Sequence, residues 1–171
     1  MSSLDKKRLS YYGTNLNRDA RHRLKKIGWA DIVIGIPSHR NGRTIGEVVD
    51  AIAKGIAQYY PHERVLLMNA DGGSSDGTSQ RVAEARVSPN AEKLVTVYEG
   101  TRGKGMAIHA IFEAAVRIGA RACVIFEARA PGIRPEWLPS LVAPVLGGEY
   151  DIVGACYQRS AYAGALTDNL V

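Results

Sequence analysis

RVLLMNADGGSSDGT, residues 64–78, is the stretch of the sequence that decides the fold. Its first six residues, RVLLMN, contain four consecutive apolar side chains and are predicted to form a strand buried on both faces. The polar, glycine-rich turn that follows leads into a short helix predicted over residues 78–85. A buried strand that ends in such a turn before a helix is typical of α/β domains with parallel sheets.

The same alternation continues on both sides of this stretch. Residues 44–60 carry apolar side chains at helical spacing, Thr44 is the predicted N-cap with Glu47 three residues on, and Pro61 ends the helix. The other predicted elements are strands over residues 31–36, 94–98, 122–126 and 150–157, and helices over residues 105–118 and 135–146. Strands that alternate with helices predict an α/β fold with a mainly parallel central sheet.

Composition and charge bound the class of protein. The chain has 171 residues, 46% hydrophobic and 23% charged, which is normal for one globular domain. Cys123 and Cys156 lie in apolar runs and are predicted to be buried free thiols, without zinc-ligand spacing. The first ten residues lack the apolar core of a secretory signal, and no apolar run is long enough for a membrane span. We therefore expect a cytoplasmic location.

The net charge of +5 is concentrated at the amino terminus. Residues 1–30 contain eight Lys or Arg and two Asp, a net of +6, so the remaining chain carries −1. This pattern divides the chain into a basic arm or helix, residues 1–29, and an α/β domain, residues 30–171. The arm could contact a phosphate-rich partner or an anionic membrane, or form a solvated helix. Its few aromatic residues argue against nucleic-acid binding.

Four loops are expected at the carboxyl ends of strands, where ligands of parallel sheets bind: residues 37–43, 70–77, 99–104 and 127–134. In the loop at residues 70–77, Asp71 can accept a hydrogen bond from a base or ribose, and Gly72 lets a ligand approach the backbone. Asp76 is either a ligand contact or a helix N-cap. In the loop at residues 37–43, Pro37 ends the strand before several polar residues, of which His39 alone is more typical of a structural or surface position.

The third loop, GTRGKG at residues 100–105, opens a helix with glycines around Arg102 and Lys104. Backbone N–H groups at a helix start, beside two cations, suit a diphosphate. The sequence of this loop matches neither the Walker A loop nor the dinucleotide-binding pattern GxGxxG. Arg102 and Lys104 could therefore also be ordinary surface cations.

These loops, in this order, resemble those of glycosyltransferases of the GT-A fold, family 2-like, and in particular the glucosyl-3-phosphoglycerate and mannosyl-3-phosphoglycerate synthase group. The resemblance covers about residues 30–171. The matching text is PSHRNGRTI (37–45), DGGSSDGT (71–78), RGKGMA (102–107), PEW (135–137), YDIV (150–153), YQR (157–159) and GALTDN (164–169).

The resemblance implies a Rossmann-like GT-A nucleotide-sugar-binding domain and assigns its site residues. A nucleotide donor, commonly a uracil nucleotide paired with Asp71, would contact Pro37, Ser38, Asn41, Asp71, Gly72 and Lys104. A small acceptor would contact Gly164, Thr167 and Asn169. Complete enzymes of this type continue further, so we expect a domain that lacks the full acceptor subdomain, unless a homo-oligomer supplies the missing surface.

The chain departs from the family at the metal-binding position. Where the family has Asp-x-Asp, with Mg²⁺ or Mn²⁺ bound by the second Asp, this sequence has Glu127-Ala128-Arg129. Glu127 remains as a candidate ligand, but Arg129 would repel the cation. Arg129 could instead stabilise the diphosphate together with Lys104 as the catalytic cations. Alternatively, catalysis could be lost while binding remains, or Arg129 could pair with Glu127 or a nearby acid.

The resemblance implies a hexosyltransferase that moves a sugar from UDP-glucose or GDP-mannose to a small phosphorylated or carboxylated acceptor. The alternative is a non-catalytic nucleotide-sugar-binding module derived from such an enzyme, which the altered metal position favours. Glu136 is a candidate catalytic base by its place in the loop, and otherwise a residue at a helix start.

Overall fold

The computed structural model describes residues 13–129 and 132–155. Strands and helices alternate along these residues, as the sequence predicts. The helices and strands are α1 (Arg18–Ile27), β1 (Ile32–Ser38), α2 (Ile45–Tyr59), β2 (Val65–Asp71), α3 (Thr78–Glu84), β3 (Ala91–Val97), α4 (Lys104–Arg117), β4 (Ala122–Ile125) and α5 (Trp137–Leu146).

The four strands form one parallel sheet in the order β3-β2-β1-β4. Strand β1 lies at the centre, and its register pairs Ser38 with Asp71 and Gly35 with Ile125. Every residue of β1 and β2 is buried, as their continuous apolar runs predict. The chain leaves β1 toward β2 on one side and later returns to β4 on the other, so the strand order reverses beside β1.

Helices cover both faces of the sheet. One core, beneath α2, α3 and α5, takes the side chains of Ile32, Ile34 and Ile36. The other core, beneath α1 and α4, takes Val33 and its neighbours on β2 and β3. This alternation along β1 follows from the two-residue period of a strand. The result is a three-layer α/β domain, which confirms the predicted fold class.

Gly35 allows α4 to lie directly against the middle of β1. A Cβ atom at this position would stand 2.4 Å from Cγ2 of Ile111 and 2.9 Å from Cδ1 of Ile125. Such distances are shorter than any real carbon contact, so the close approach of helix and strand requires glycine. The position therefore determines how deeply α4 sits on the sheet.

One prediction about local structure is wrong, and a second is confirmed in position only, because Thr44 is the N-cap of α2 without a side-chain capping bond. Residues 150–155 of the predicted fifth strand are not a strand, and residues 156–157 lie outside the described residues. Ile152 is 86% exposed, so this apolar run lacks the burial that stabilises a strand. Thr44 precedes α2 but makes no capping bond, because its hydroxyl donates to the Ala128 carbonyl at 2.7 Å.

The described part of the basic arm packs onto the domain. Leu16 is fully buried and Leu24 is 3% exposed, both in the core beneath α1 and α4. Asn17 caps α1 by accepting a hydrogen bond from the backbone N–H of Ala20 at 2.8 Å. The basic side chains of α1 therefore extend from a helix that is fixed to the sheet, and residues 1–12 lie outside the described residues.

The cysteine prediction applies to one described residue. Cys123 is a free thiol on β4, half-buried, and burial raises its pKa to about 12. Cys156 lies outside the described residues. Among the helices that are described, none combines the length and the apolar composition that crossing a lipid bilayer requires.

Glu113 on α4 anchors the segment before α1. Its buried carboxylate accepts hydrogen bonds from the Thr14 hydroxyl at 2.7 Å, from the Asn15 N–H at 3.0 Å and from the Arg117 guanidinium at 2.7 and 2.9 Å. Burial alone would raise the pKa of this carboxyl. The bonds from Thr14, Arg117 and Asn15 outweigh burial, so the pKa of Glu113 lies below its ordinary value.

The lowered pKa of Glu113 predicts a pH-dependent stability. Its contribution is complete above the unfolded-state pKa, ordinarily 4.5, and is lost as the pH falls through the lower folded-state pKa. We expect Glu113→Gln to lower the free energy of unfolding by about 2 kcal/mol near neutral pH, and to flatten its decline between about pH 5 and pH 3. Urea unfolding across this range measures both effects, with Glu84→Gln, at an exposed acid, as the control. An unchanged slope for Glu113→Gln would contradict the prediction.

Candidate functional site

A cavity of about 300 Å³ opens at the carboxyl ends of β1 and β4, where the strand order reverses. This is the position at which open α/β sheets bind ligands, and the volume lies within the range of small-molecule sites. Three segments contribute its walls. The lining residues are Pro37, Ser38, His39, Asn41, Tyr98, Arg102, Gly103, Lys104, Ala107, Glu127, Ala128 and Arg129.

The loop after β1 forms one wall and is held by backbone and side-chain bonds. Asn41 is buried, and its side-chain oxygen accepts a hydrogen bond from the His39 N–H at 2.8 Å. Its own N–H donates to the Thr78 hydroxyl at 2.9 Å, at the start of α3. The prediction that Pro37, Ser38 and Asn41 share one site is consistent with this wall, and His39 lies in the wall as well.

Asp71 lies beneath this wall and does not line the cavity. It is fully buried at the end of β2. The Ser38 hydroxyl donates to its carboxylate at 2.7 Å, and Ser74 donates through its N–H at 2.6 Å and its hydroxyl at 2.7 Å. Both oxygens are thus engaged within the protein. Gly72 follows and is also buried, and a Cβ atom at this position would stand 3.0 Å from Nδ1 of His39. Ligand contacts by Asp71 and Gly72 stay predictions.

Asp76 joins the two loops. Its carboxylate accepts hydrogen bonds from the Gly42 N–H at 2.9 Å and from the N–H and hydroxyl of Thr78. The Thr78 hydroxyl, followed by the Gly42 N–H, lowers the pKa of Asp76. Of the two alternatives for this residue, the contacts favour the helix-start role, although Gly77 occupies the N-cap position of α3.

The segment before α4 forms the second wall and presents two cations. Arg102 and Lys104 both line the cavity beside the first turn of α4. Tyr98 holds this segment, because its hydroxyl accepts a hydrogen bond from the Gly103 N–H at 2.8 Å and contacts the Gly103 carbonyl at 3.2 Å. Asn15 supports it from outside by donating to the Glu99 carbonyl at 2.7 Å. From the sequence, Tyr98 is predicted only as the last residue of a strand, and no local pattern indicates that it holds this segment.

The segment after β4 forms the third wall. The Lys104 ammonium donates to the Glu127 carboxylate in an ion pair whose side chains are 60% and 56% exposed. Arg129 is exposed and lines the cavity, and its guanidinium forms no ion pair with any described residue. The alternative in which Arg129 pairs with Glu127 is therefore wrong within the described part of the chain, because Lys104 takes that carboxylate.

The donor groups at this position do not fit a divalent cation. Mg²⁺ and Mn²⁺ prefer several oxygen ligands, with carboxylates prominent among them. Glu127 is the one carboxylate among the lining residues, and it is paired with Lys104. No cluster of three His, Cys, Asp or Glu side chains suited to a metal occurs within residues 13–129 and 132–155. Three cations around one ion-paired carboxylate suit an anion better than a divalent cation.

Other predicted residues lie away from the cavity or beyond the described chain. Glu136 immediately precedes α5 and is not a lining residue, which fits a role at the helix start. Gly164, Thr167 and Asn169, predicted to contact an acceptor, lie outside the described residues. The described site is therefore the part that the resemblance assigns to the nucleotide donor.

The sheet order, the helices on both faces and the cavity at the order reversal define a partial GT-A, Rossmann-like domain. No model of a known protein family matches the chain, and no curated protein matches it. Solved structures do share its fold. Among them are glucosyl-3-phosphoglycerate synthase of Mycobacterium tuberculosis and mannosyl-3-phosphoglycerate synthase of Rubrobacter xylanophilus.

The mycobacterial enzyme in complex with Mn²⁺, UDP-glucose and phosphoglyceric acid is 23% identical, with a TM-score of 0.53 over 70% of this chain and 40% of its own. Its complex with Mn²⁺, UDP-glucose and glycerol 3-phosphate is 22% identical, with a TM-score of 0.52 over 80% of this chain and 47% of its own. The Rubrobacter enzyme is 20% identical, with a TM-score of 0.52 over 75% of this chain and 40% of its own. The chain thus spans less than half the length of these structures, and the likeness shows the fold.

Proposed function

We propose that this domain binds a nucleotide sugar and serves as the donor-binding part of a glycosyltransferase. The observation that carries the proposal is the cavity at the strand-order reversal, which Arg102, Lys104 and Arg129 line together with the polar wall after β1. A diphosphate needs cations on one side, and a ribose and base need hydrogen-bonding groups on the other. The cavity offers both within about 300 Å³.

The orientation of the donor follows from the charges. The base and ribose lie against Pro37, Ser38 and Asn41, and the diphosphate lies against the start of α4. There the first backbone N–H groups of the helix add a partial positive charge to that of Lys104. Arg129 approaches the diphosphate from the β4 side. Arginine presents several donors in a fixed plane, which suits phosphate oxygens.

The chemistry needs stabilisation of a leaving diphosphate. In glycosyl transfer the bond between the anomeric carbon and the diphosphate oxygen breaks, and the bonding electrons leave with that oxygen. A bond from the anomeric carbon to an acceptor hydroxyl oxygen forms, and the proton of that hydroxyl passes to the departing diphosphate oxygen. Lys104 and Arg129 would stabilise the negative charge that develops on the departing nucleoside diphosphate. In this proposal the cations of the chain supply what a divalent cation supplies elsewhere.

The proposed acceptor is a small phosphorylated or carboxylated molecule, and the proposed donor is of the UDP-glucose or GDP-mannose type. Support comes from proteins of the same fold, whose structures hold UDP-glucose with phosphoglyceric acid or glycerol 3-phosphate. Their identity to this chain is below 25%, so they support a class of ligand. The acceptor role of Gly164, Thr167 and Asn169 and the cytoplasmic location belong to the same proposal.

The second candidate is a nucleotide-sugar-binding module without catalysis. The pairing of Glu127 with Lys104 favours it, because the described residues of the cavity wall then offer no free carboxylate to act as a base or a metal ligand. Both candidates require donor binding. Incubating the protein with UDP-glucose and 3-phosphoglycerate, and measuring release of UDP, separates them: turnover supports the transferase, and binding without turnover supports the module.

We expect UDP and UDP-glucose to bind equally well in EDTA and in Mn²⁺, because lysine and arginine, and no metal ion, contact the diphosphate. Isothermal titration in the two buffers measures the dissociation constants, and ligand-dependent thermal stabilisation gives an independent estimate. Uridine, which lacks the phosphates, is the matched control and should bind at least about tenfold more weakly than UDP, given the strength of charge-assisted bonds. Binding that required Mn²⁺ would contradict the metal-independent proposal, and no binding in either buffer would contradict nucleotide binding itself.

A further inference from the structure

Glu127 holds an unusual place in a cavity that is otherwise built for anions. The charged residues in the walls are Arg102, Lys104 and Arg129, with Glu127 as the one acid among the described lining residues. Its carboxylate accepts a hydrogen bond from the Lys104 ammonium. The pair connects the first residue of α4 to the segment after β4, so it reaches from the second wall to the third.

We infer that Glu127 competes with the phosphate of the ligand for Lys104. Its carboxylate occupies the position on Lys104 that a phosphate oxygen of the bound nucleotide would take. The ligand must therefore displace Glu127 before Lys104 can contact it. This inference rests on the proposed function, since it concerns how the nucleotide enters the same cavity.

The exposure of the pair makes such an exchange physically reasonable. Both side chains are more than half exposed, so water screens their attraction and the ion pair adds little to stability. A diphosphate carries more negative charge than a carboxylate and contacts the other two cations at the same time. It can therefore displace Glu127, whereas a ligand with a single weak charge is attracted less strongly to Lys104 and displaces Glu127 less readily. Glu127 thereby makes the site selective for strongly charged ligands.

The competition predicts that removing the charge of Glu127 improves binding. Glu127→Gln keeps the size and shape of the side chain but leaves Lys104 without a competing anion. We expect the dissociation constant for UDP to fall about three- to tenfold at low ionic strength. The gain should shrink as salt increases, because the competition is electrostatic. Titration calorimetry of the full chain with UDP, at low and high salt, measures both changes.

Two variants serve as controls. Glu92→Gln removes the same charge from an exposed position in the amino-terminal half of β3, at the other end of the strands, and should leave UDP affinity unchanged. In a Lys104→Met background, the gain from Glu127→Gln should be smaller, because the contested cation is absent. Thermal unfolding of each variant verifies that it is folded.

The outcomes separate this inference from the proposed function. Tighter UDP binding by Glu127→Gln, with no change for Glu92→Gln, supports the competitor role. Unchanged or weaker UDP binding by Glu127→Gln overturns it while the nucleotide site stands. Failure of both the unaltered protein and Glu127→Gln to bind UDP overturns the proposed function, and the competitor role with it.

Discussion

Replacing Asp71 with alanine is expected to lower the free energy of unfolding by about 3–5 kcal/mol, the cost of breaking a buried, hydrogen-bonded charge network. The carboxylate is fully buried and accepts three hydrogen bonds from Ser38 and Ser74. Without it the buried Ser38 hydroxyl and the half-buried N–H and hydroxyl of Ser74 lose their acceptor. Asn69 also depends on the network, because its side-chain amide donates to the Ser38 hydroxyl at 2.8 Å. Equilibrium unfolding in urea measures the loss.

Asp76→Ala is the matched control for this prediction. Asp76 lies in the same loop and also accepts loop hydrogen bonds, but it is exposed, so its replacement should cost much less. Asp71→Asn, which keeps the shape but can no longer accept three hydrogen bonds, should fall between the two. If Asp71→Ala unfolded like the unaltered protein yet no longer bound UDP, Asp71 would be a ligand contact and its structural role would be refuted.

Arg129→Ala is expected to raise the dissociation constant for UDP by about 10- to 100-fold, the value of one charge-assisted contact to phosphate. Arg129 lines the cavity and makes no ion pair with described residues, so its guanidinium is available to a ligand. Because the side chain is exposed, its removal should leave the stability of the fold nearly unchanged. Isothermal titration measures the affinity, and urea unfolding measures the stability.

Two further variants test the geometry of this contact. Arg129→Lys keeps the charge but loses the planar donor set, so it should restore only part of the affinity. Arg86→Ala removes an exposed arginine from the connection between α3 and β3, at the opposite end of the strands, and should have no effect on UDP binding. An Arg129→Ala variant as tight as Arg86→Ala would exclude Arg129 from the nucleotide site.

The sequence predicts most of the fold because the central strands are marked by burial on both faces. Strands β1 and β2 are continuous apolar runs, and the predicted spans agree with the observed ones within two residues. Strand β3 begins three residues earlier than predicted, at Ala91, because it is an edge strand whose first residues are polar and partly exposed. An edge position tolerates such residues, so the apolar run alone underestimates the strand.

The sequence predicts where the cavity lies but not which side chains contact one another in its walls. Strand-end loops meet at one edge of a parallel sheet, so the sequence indicates the edge at which a site forms. Three of the strand-end loops line the cavity, whereas the loop after β2 lies beneath it. Which side chain pairs with which depends on packing between residues far apart in sequence. The Thr44 hydroxyl donates to the Ala128 carbonyl, and the Lys104 ammonium donates to the Glu127 carboxylate. The Asp71 carboxylate accepts hydrogen bonds from two serine hydroxyls. No local pattern in the sequence encodes these partners.

The missing side chain at Gly35 allows the proposed nucleotide site to be altered from outside the cavity. Lys104 begins α4, and Ile111, on the same helix, rests on the bare backbone of β1 at Gly35, which is not among the residues that line the cavity. A methyl group added there would push the helix outward, and with it the lysine that faces the ligand. Affinity for phosphate can thus be altered by repacking at a distance, without exchanging any residue that contacts the ligand.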